Sequence, residues 1–123
     1  MDLPGVDGPA SPPKPLVGVD SFAALDLRVA RVVEVLAFPE ARKPAWRMVL
    51  DAGPGVGRVQ TSAQITNYVP EQLTGRLVVV AVNLGSRRIA GWRSDVLVLG
   101  AVSADGVSLL SLDGEVAPGT PIA

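Results

Sequence analysis

The sequence predicts an all-β protein, a small five-stranded barrel carrying one short helix. Three observations lead there: short segments of alternating apolar and polar residues, turn residues between them at regular intervals, and a single stretch of helix signals. A chain of 123 residues suffices for one core and is too short for two ordinary domains. Hydrophobic residues make up 48% of it and aromatics only 4%, so the core must be mostly Val, Leu, Ala and Ile.

The elements follow in order. Residues 1–20 read as a disordered leader, with five prolines in the first fifteen positions and no apolar period, and residues 21–123 as the folded domain. Leu25 to Phe38 is the first strand, in which Leu25, Leu27 and Val29, then Val33 and Val35, alternate with polar neighbours. The phase breaks at Ala30-Arg31-Val32, where a bulge would bend the strand as a small barrel requires. Pro39 and Pro44 bracket a loop. Trp46 to Ala52 is the second strand, with Trp46, Met48 and Leu50 on its inward phase, and Gly53-Pro54-Gly55 turns into a third, Val56 to Ser62. Tyr68 to Leu73 reads as the helix, with Pro70 in its first turn and Gly75 as its stop. Leu77 to Val82 is a buried strand. Asp95 to Val102 and Val107 to Leu112 then pair across Ala104-Asp105-Gly106.

The composition excludes much chemistry. Cysteine and histidine are absent, which removes disulfides, Cys/His zinc sites, the Ser-His-Asp triad and imidazole acid–base steps. The twelve acidic residues are scattered without metal-ligand spacing. No enzyme activity, metal or cofactor is expected. Neither an export signal nor an apolar twenty-residue span is present, so the cytoplasm is the expected compartment. The net charge of −1 is uneven: from Phe22 to Arg93, ten basic residues stand against five acidic ones. A basic body with acidic flanks suits a polyanionic partner.

Two polar segments interrupt the apolar scaffold. One is Arg42-Lys43-Pro44-Ala45-Trp46, brought beside Thr61-Ser62-Ala63-Gln64-Ile65 if the second and third strands pair. The other runs from Asn83 to Ser94 and holds Arg87, Arg88, Trp92 and Arg93. Two readings of this block stay open. In one, the arginines contact phosphates and Trp92 stacks on a base. In the other, it is a solvated loop whose tryptophan tucks back onto the barrel. Arg42 and Lys43 divide likewise between ligand contact and a merely solubilising loop. Trp46 falls on an inward phase and reads as core.

Taken in order, Phe22 to Val35, Phe38-Pro39-Glu40-Ala41-Arg42-Lys43-Pro44-Ala45-Trp46, Thr61-Ser62-Ala63-Gln64-Ile65-Thr66, and Gly91-Trp92-Arg93-Ser94-Asp95-Val96-Leu97 resemble the CsaA family of tRNA-binding-domain proteins. That family is itself similar to tRNA-binding modules of some aminoacyl-tRNA synthetases. The resemblance runs from about Phe22 to Ile122. It implies an oligonucleotide-binding (OB) fold, a homodimer, tRNA binding, and a secretion-related chaperone role. The partners it implies are tRNA, unfolded preproteins and the export motor SecA. Carried over position by position, the nucleic-acid or peptide-binding candidates are Arg42, Lys43, Ser62, Gln64, Asn83, Arg87, Arg88, Trp92, Arg93 and Ser94. The chain departs from the family pattern in three places. Asp95 stands where Glu is usual, Gly85-Ser86 where prolines are common (which would loosen that loop), and the leader has no counterpart.

Overall fold

In the computed structural model, which describes residues 8–123, the long strand β1 (Leu27–Ala37) organises the rest. Its first half pairs with β4 (Leu77–Ala81) and its second half with β2 (Trp46–Asp51), both antiparallel. Between the two partners the ladder is filled by a corner: Val32 donates to the carbonyl of Arg76 and accepts from the N–H of Gly75, at 2.9 and 2.8 Å. One extra residue, Val33, shifts the register against β2. The bulge thus falls just beyond the Ala30-Arg31-Val32 stretch where the alternation fails. Val29, Ala30 and Val32 are all buried, because the strand coils as it changes partner.

β2 continues through Gly53 into β3 (Arg58–Ala63), and β4 pairs on its far side with β7 (Leu97–Val98). The path β3-β2-β1-β4-β7 is a nearly closed antiparallel barrel of five strands, as the alternation predicts. Its interior is aliphatic: Met48, Leu50, Val29, Val32, Val78 and Val80 have essentially no exposed surface. The helix α2 (Pro70–Leu73) inserts fully buried Leu73 into this core, and the side chain of Gln72 accepts the N–H of Val69 at its start.

Several features depart from the sequence reading. A second single-turn helix, α1 (Val19–Ala23), precedes β1, and none of its residues is buried. Of the predicted leader, residues 1–7 lie outside the described residues, and residues 8–18 form no helix or strand. The block from Asn83 to Ser94 is not a loop: β5 (Arg87–Ile89) and β6 (Trp92–Ser94) form a hairpin, with Ile89 opposite Trp92. Both turn residues, Ala90 and Gly91, have positive φ, at 47° and 81°, as in the tight turns that match strand twist. The predicted strand from Asp95 to Val102 is broken. β7 stays with the barrel, while β8 (Gly100–Ser103) leaves it to pair with β9 (Gly106–Leu109).

The chain closes on itself with β10 (Pro121–Ile122), which pairs with the start of β1. Here Gly119 donates to the carbonyl of Val29 at 2.7 Å, and Val29 to that of Thr120 at 3.0 Å. The turn before β10 lies backbone to backbone against Gly53. A Cβ on Gly53 would collide with Pro118 and Gly119, and Gly53 also has φ of +86°. Gly57 shares the positive φ but faces open space. The pair separates strain from collision. Gly57→Ala is expected to cost about 1–2 kcal/mol. Gly53→Ala is expected to cost at least about twice that, both read from denaturant midpoints at unchanged m-value.

Candidate nucleic-acid interface

At the end of the β2–β3 hairpin remote from Gly53, Trp46 lies opposite Ala63. The loop before β2 and the chain leaving β3 therefore emerge side by side, and the β5–β6 hairpin flanks them. Together they form an open cleft of about 630 Å³ lined by Arg42, Lys43, Ser62, Gln64, Arg87 and Ile89, among others. Among the described lining residues none is acidic, and Arg42 and Arg87 form no ion pair or side-chain hydrogen bond with a described residue. Arg42 and Arg87 thus face a space whose described lining holds no acidic residue, with Lys43 beside them, which is the electrostatic form of an anion site.

The structure brings together five of the ten predicted site residues and separates the others. Arg42, Lys43, Ser62, Gln64 and Arg87 line the cleft, Ser62 from a buried position. The pleat of β5 sends Arg87 and Arg88 to opposite faces of the hairpin. Arg88 lies across from Arg93 on the face turned away from the cleft, so the three arginines do not form one cluster. Arg93 is ion-paired with Asp95 at 2.7 Å. Ser94 is buried, its hydroxyl 3.1 Å from that of Thr61. Asn83 is remote: its amide accepts from the N–H of Asp26 and donates to the carbonyl of Ala24, both at 2.8 Å, which fixes the entry to β1.

Trp92 folds back onto the barrel. Its indole N–H donates to the carbonyl of Thr61 at 2.8 Å, and the ring is half-buried on the barrel. Trp46 likewise packs against the core and donates to the carbonyl of Tyr68. The alternation of β2 gave no hint of the part played by Arg47. Its guanidinium lies 5.3 Å from the centre of the Trp92 ring and 5.6 Å from that of Phe38, while its Nε donates to the carbonyl of Ala37. The contact ties the hairpin to the end of β1 through a cation–π sandwich. Only the tertiary fold brings Phe38 and Trp92 to the same guanidinium.

Asp95 roots the hairpin. Its backbone N–H donates to the carbonyl of Gln60 at 2.8 Å, and its carboxylate accepts the N–H of Gln60 at 3.1 Å. The same carboxylate accepts from the hydroxyl of Ser86 at 2.9 Å and from Arg93. Thr61 adds a bond to the carbonyl of Val96 at 2.7 Å. Burial pushes the Asp95 carboxyl up, but the Gln60 N–H, Arg93 and Ser86 outweigh it, and the group sits below the usual carboxylate range. The Gly85-Ser86 departure gains a local meaning here. Gly85 has φ of +84°, which proline cannot adopt, and Ser86 is tied to Asp95 rather than loose.

Among the described residues no group of three or more Asp or Glu could hold a metal ion, and no helix is long and apolar enough to cross a membrane. Residues 27–121 match the family model described as "Putative tRNA binding domain". A methionine–tRNA ligase of Thermotoga maritima is 35% identical over 106 residues, covering 86% of this chain and 16% of the ligase. This chain thus spans about one-sixth of the length of that relative. Among solved structures, the CsaA chaperone protein from Picrophilus torridus superposes with a TM-score of 0.84 at 41% identity, covering 88% of this chain and 100% of that one. The chaperone CsaA from Bacillus anthracis does so with a TM-score of 0.83 at 43% identity, covering 89% and 100%.

The depressed carboxyl of Asp95 makes a pH-dependent prediction. Its folded-state pKa lies below the unfolded value of about 3.9, so its stabilisation is fully present above that value and is lost as pH falls through the folded-state pKa. Asp95→Asn is expected to cost about 1–3 kcal/mol near neutrality and to flatten the acid limb of the stability curve. Denaturant unfolding from neutral pH down to about 2 checks both.

Proposed function

Because the chain belongs to the tRNA-binding-domain family and is CsaA-like within it, we propose that it is a non-catalytic module that holds tRNA by its phosphate backbone. The observation that carries this reading is the cleft in which Arg42, Lys43 and Arg87 converge without an acidic residue among the described ones lining it. Guanidinium groups pair with phosphate in bidentate geometry, and such contacts position a nucleic acid without reading its sequence. The excess of basic over acidic residues between Phe22 and Arg93 adds attraction toward the cleft from a distance. The cytoplasm, where tRNA resides, is the compartment that suits this role.

A second reading has its own support. Leu16, Val17 and Val19 are more than 70% exposed, and Phe22 and Leu25 more than 40%, in the segment before β1. Such surface suits contact with an unfolded preprotein, with the motor SecA, or with a second copy of the chain in a homodimer. The two CsaA chaperones among the solved structures support this direction.

Two measurements test these readings. The double variant Arg42→Ala/Arg87→Ala is expected to weaken tRNA binding and to lower the slope of log affinity against log salt by about two. Arg88→Ala, on the other face of the hairpin, is expected to leave the slope unchanged. Identical slopes in the double variant and the parent defeat the tRNA reading. For the second reading, suppression of light scattering by a denatured client is expected; none at excess protein defeats it.

A further inference from the structure

Beside the cationic cleft lies a second one, and the two share a wall. Ser62 and Gln64, at the end of β3, line both. The second groove measures about 310 Å³ and is otherwise apolar, lined by Ile65, by β7, by Val102 and Val107 of the β8–β9 hairpin and by Leu110 just beyond it. Val102 and Leu110 are 39% and 43% exposed at its mouth.

The walls are held apart at a fixed spacing. Asn67 donates to the carbonyl of Val107 at 2.8 Å and accepts its N–H at 3.4 Å, so one side chain satisfies both backbone groups of that residue. Tyr68 accepts the N–H of Leu109 through its hydroxyl at 3.0 Å. These bonds tether the hairpin at its root through Leu109 and near its turn through Val107, and the groove exists before anything enters it.

We propose that this groove receives one unpaired nucleobase, whose own backbone phosphate occupies the adjacent cationic cleft. The inference rests on the tRNA reading above and deepens it. Size, shape and continuity favour this occupant. The volume is at the lower limit for small-ligand sites, enough for one flat ring system and too little for several side chains of an extended peptide. Branched aliphatic side chains on both walls suit the faces of a base, and Ser62 and Gln64 make the shared edge polar, where the polar rim of the base would lie. The cations lie on the other side of the same two residues, as the phosphate of the same nucleotide requires. The protein then selects RNA with an extruded nucleotide by shape, without reading a sequence.

The test compares two RNA stems of equal length, one fully paired and one with a single bulged nucleotide, by fluorescence anisotropy at fixed salt. The full chain is expected to bind the bulged stem about tenfold more tightly. Leu110→Ser and Val102→Ser are neutral changes at exposed positions, and each is expected to bring the ratio close to one while leaving affinity for the paired stem unchanged. Arg87→Ala is expected to weaken both stems equally and keep the ratio. A parent ratio of one with both stems bound overturns this inference alone, and so does a ratio that survives both serine variants. Binding of neither stem, nor of tRNA, defeats the underlying reading as well. If the serine variants convert a dimer to a monomer in sedimentation, the groove belongs to a second copy and the inference falls.

Discussion

The barrel depends on a seam that strand pairing does not close. Between β3 and the chain from Trp92 to Val96, side chains supply much of the hydrogen bonding that a ladder would supply. Asp95 exchanges bonds with both backbone groups of Gln60, Thr61 reaches the carbonyl of Val96, and Trp92 reaches that of Thr61. Every one of these groups is wholly or partly withdrawn from water, so an unmet partner would carry a desolvation cost that a surface contact would not. Closure and the placement of the β5–β6 hairpin are therefore one event. The hairpin cannot leave the rim of the cleft without opening the barrel behind it.

That coupling explains how a small domain with few aromatics holds an exposed cationic rim in place. The hairpin buries little of itself: Arg87 and Arg88 are exposed and Ile89 is half-buried. Its stability is borrowed from the barrel through Trp92, through the Arg47 guanidinium held between Trp92 and Phe38, and through Asp95 at its foot. Directly opposed Arg88 and Arg93 would repel each other, and the carboxylate of Asp95 offsets that repulsion. Arg87, on the other face, keeps its charge for the cleft.

Much of this was legible in the sequence, and the exceptions have physical causes. Strands whose one face is buried announce themselves by alternation, so β1, β2, β3 and β4 were readable, as was α2 from Pro70 and Gly75. The β5–β6 hairpin was not, because its turn places Ala90 at positive φ, where Asn or Gly would have signalled it. β10 was hidden because Pro121 argues against a strand except at an edge, which is where it lies. Five of the predicted site residues line the cleft. The others were carried over with them by resemblance, position by position, and the pleat, the Asp95 ion pair and the Asn83 clamp each set apart residues that the resemblance places together. Arg47 reaches Trp92 and Asn67 reaches Val107, partners 45 and 40 positions away, which no local pattern encodes.

The close passage of Gly53 and Gly119 has a consequence for how such a domain can change over generations. At that end of the barrel two backbones meet with no room for a side chain, so its sequence is confined to the one residue that fits. At the opposite end, Arg42, Lys43 and Gln64 stand exposed on connections that carry no strand pairing. The barrel is thus frozen at one pole and permissive at the other. Descendants could acquire new ligands by altering the open pole alone, while the glycine pole preserves the architecture that presents them.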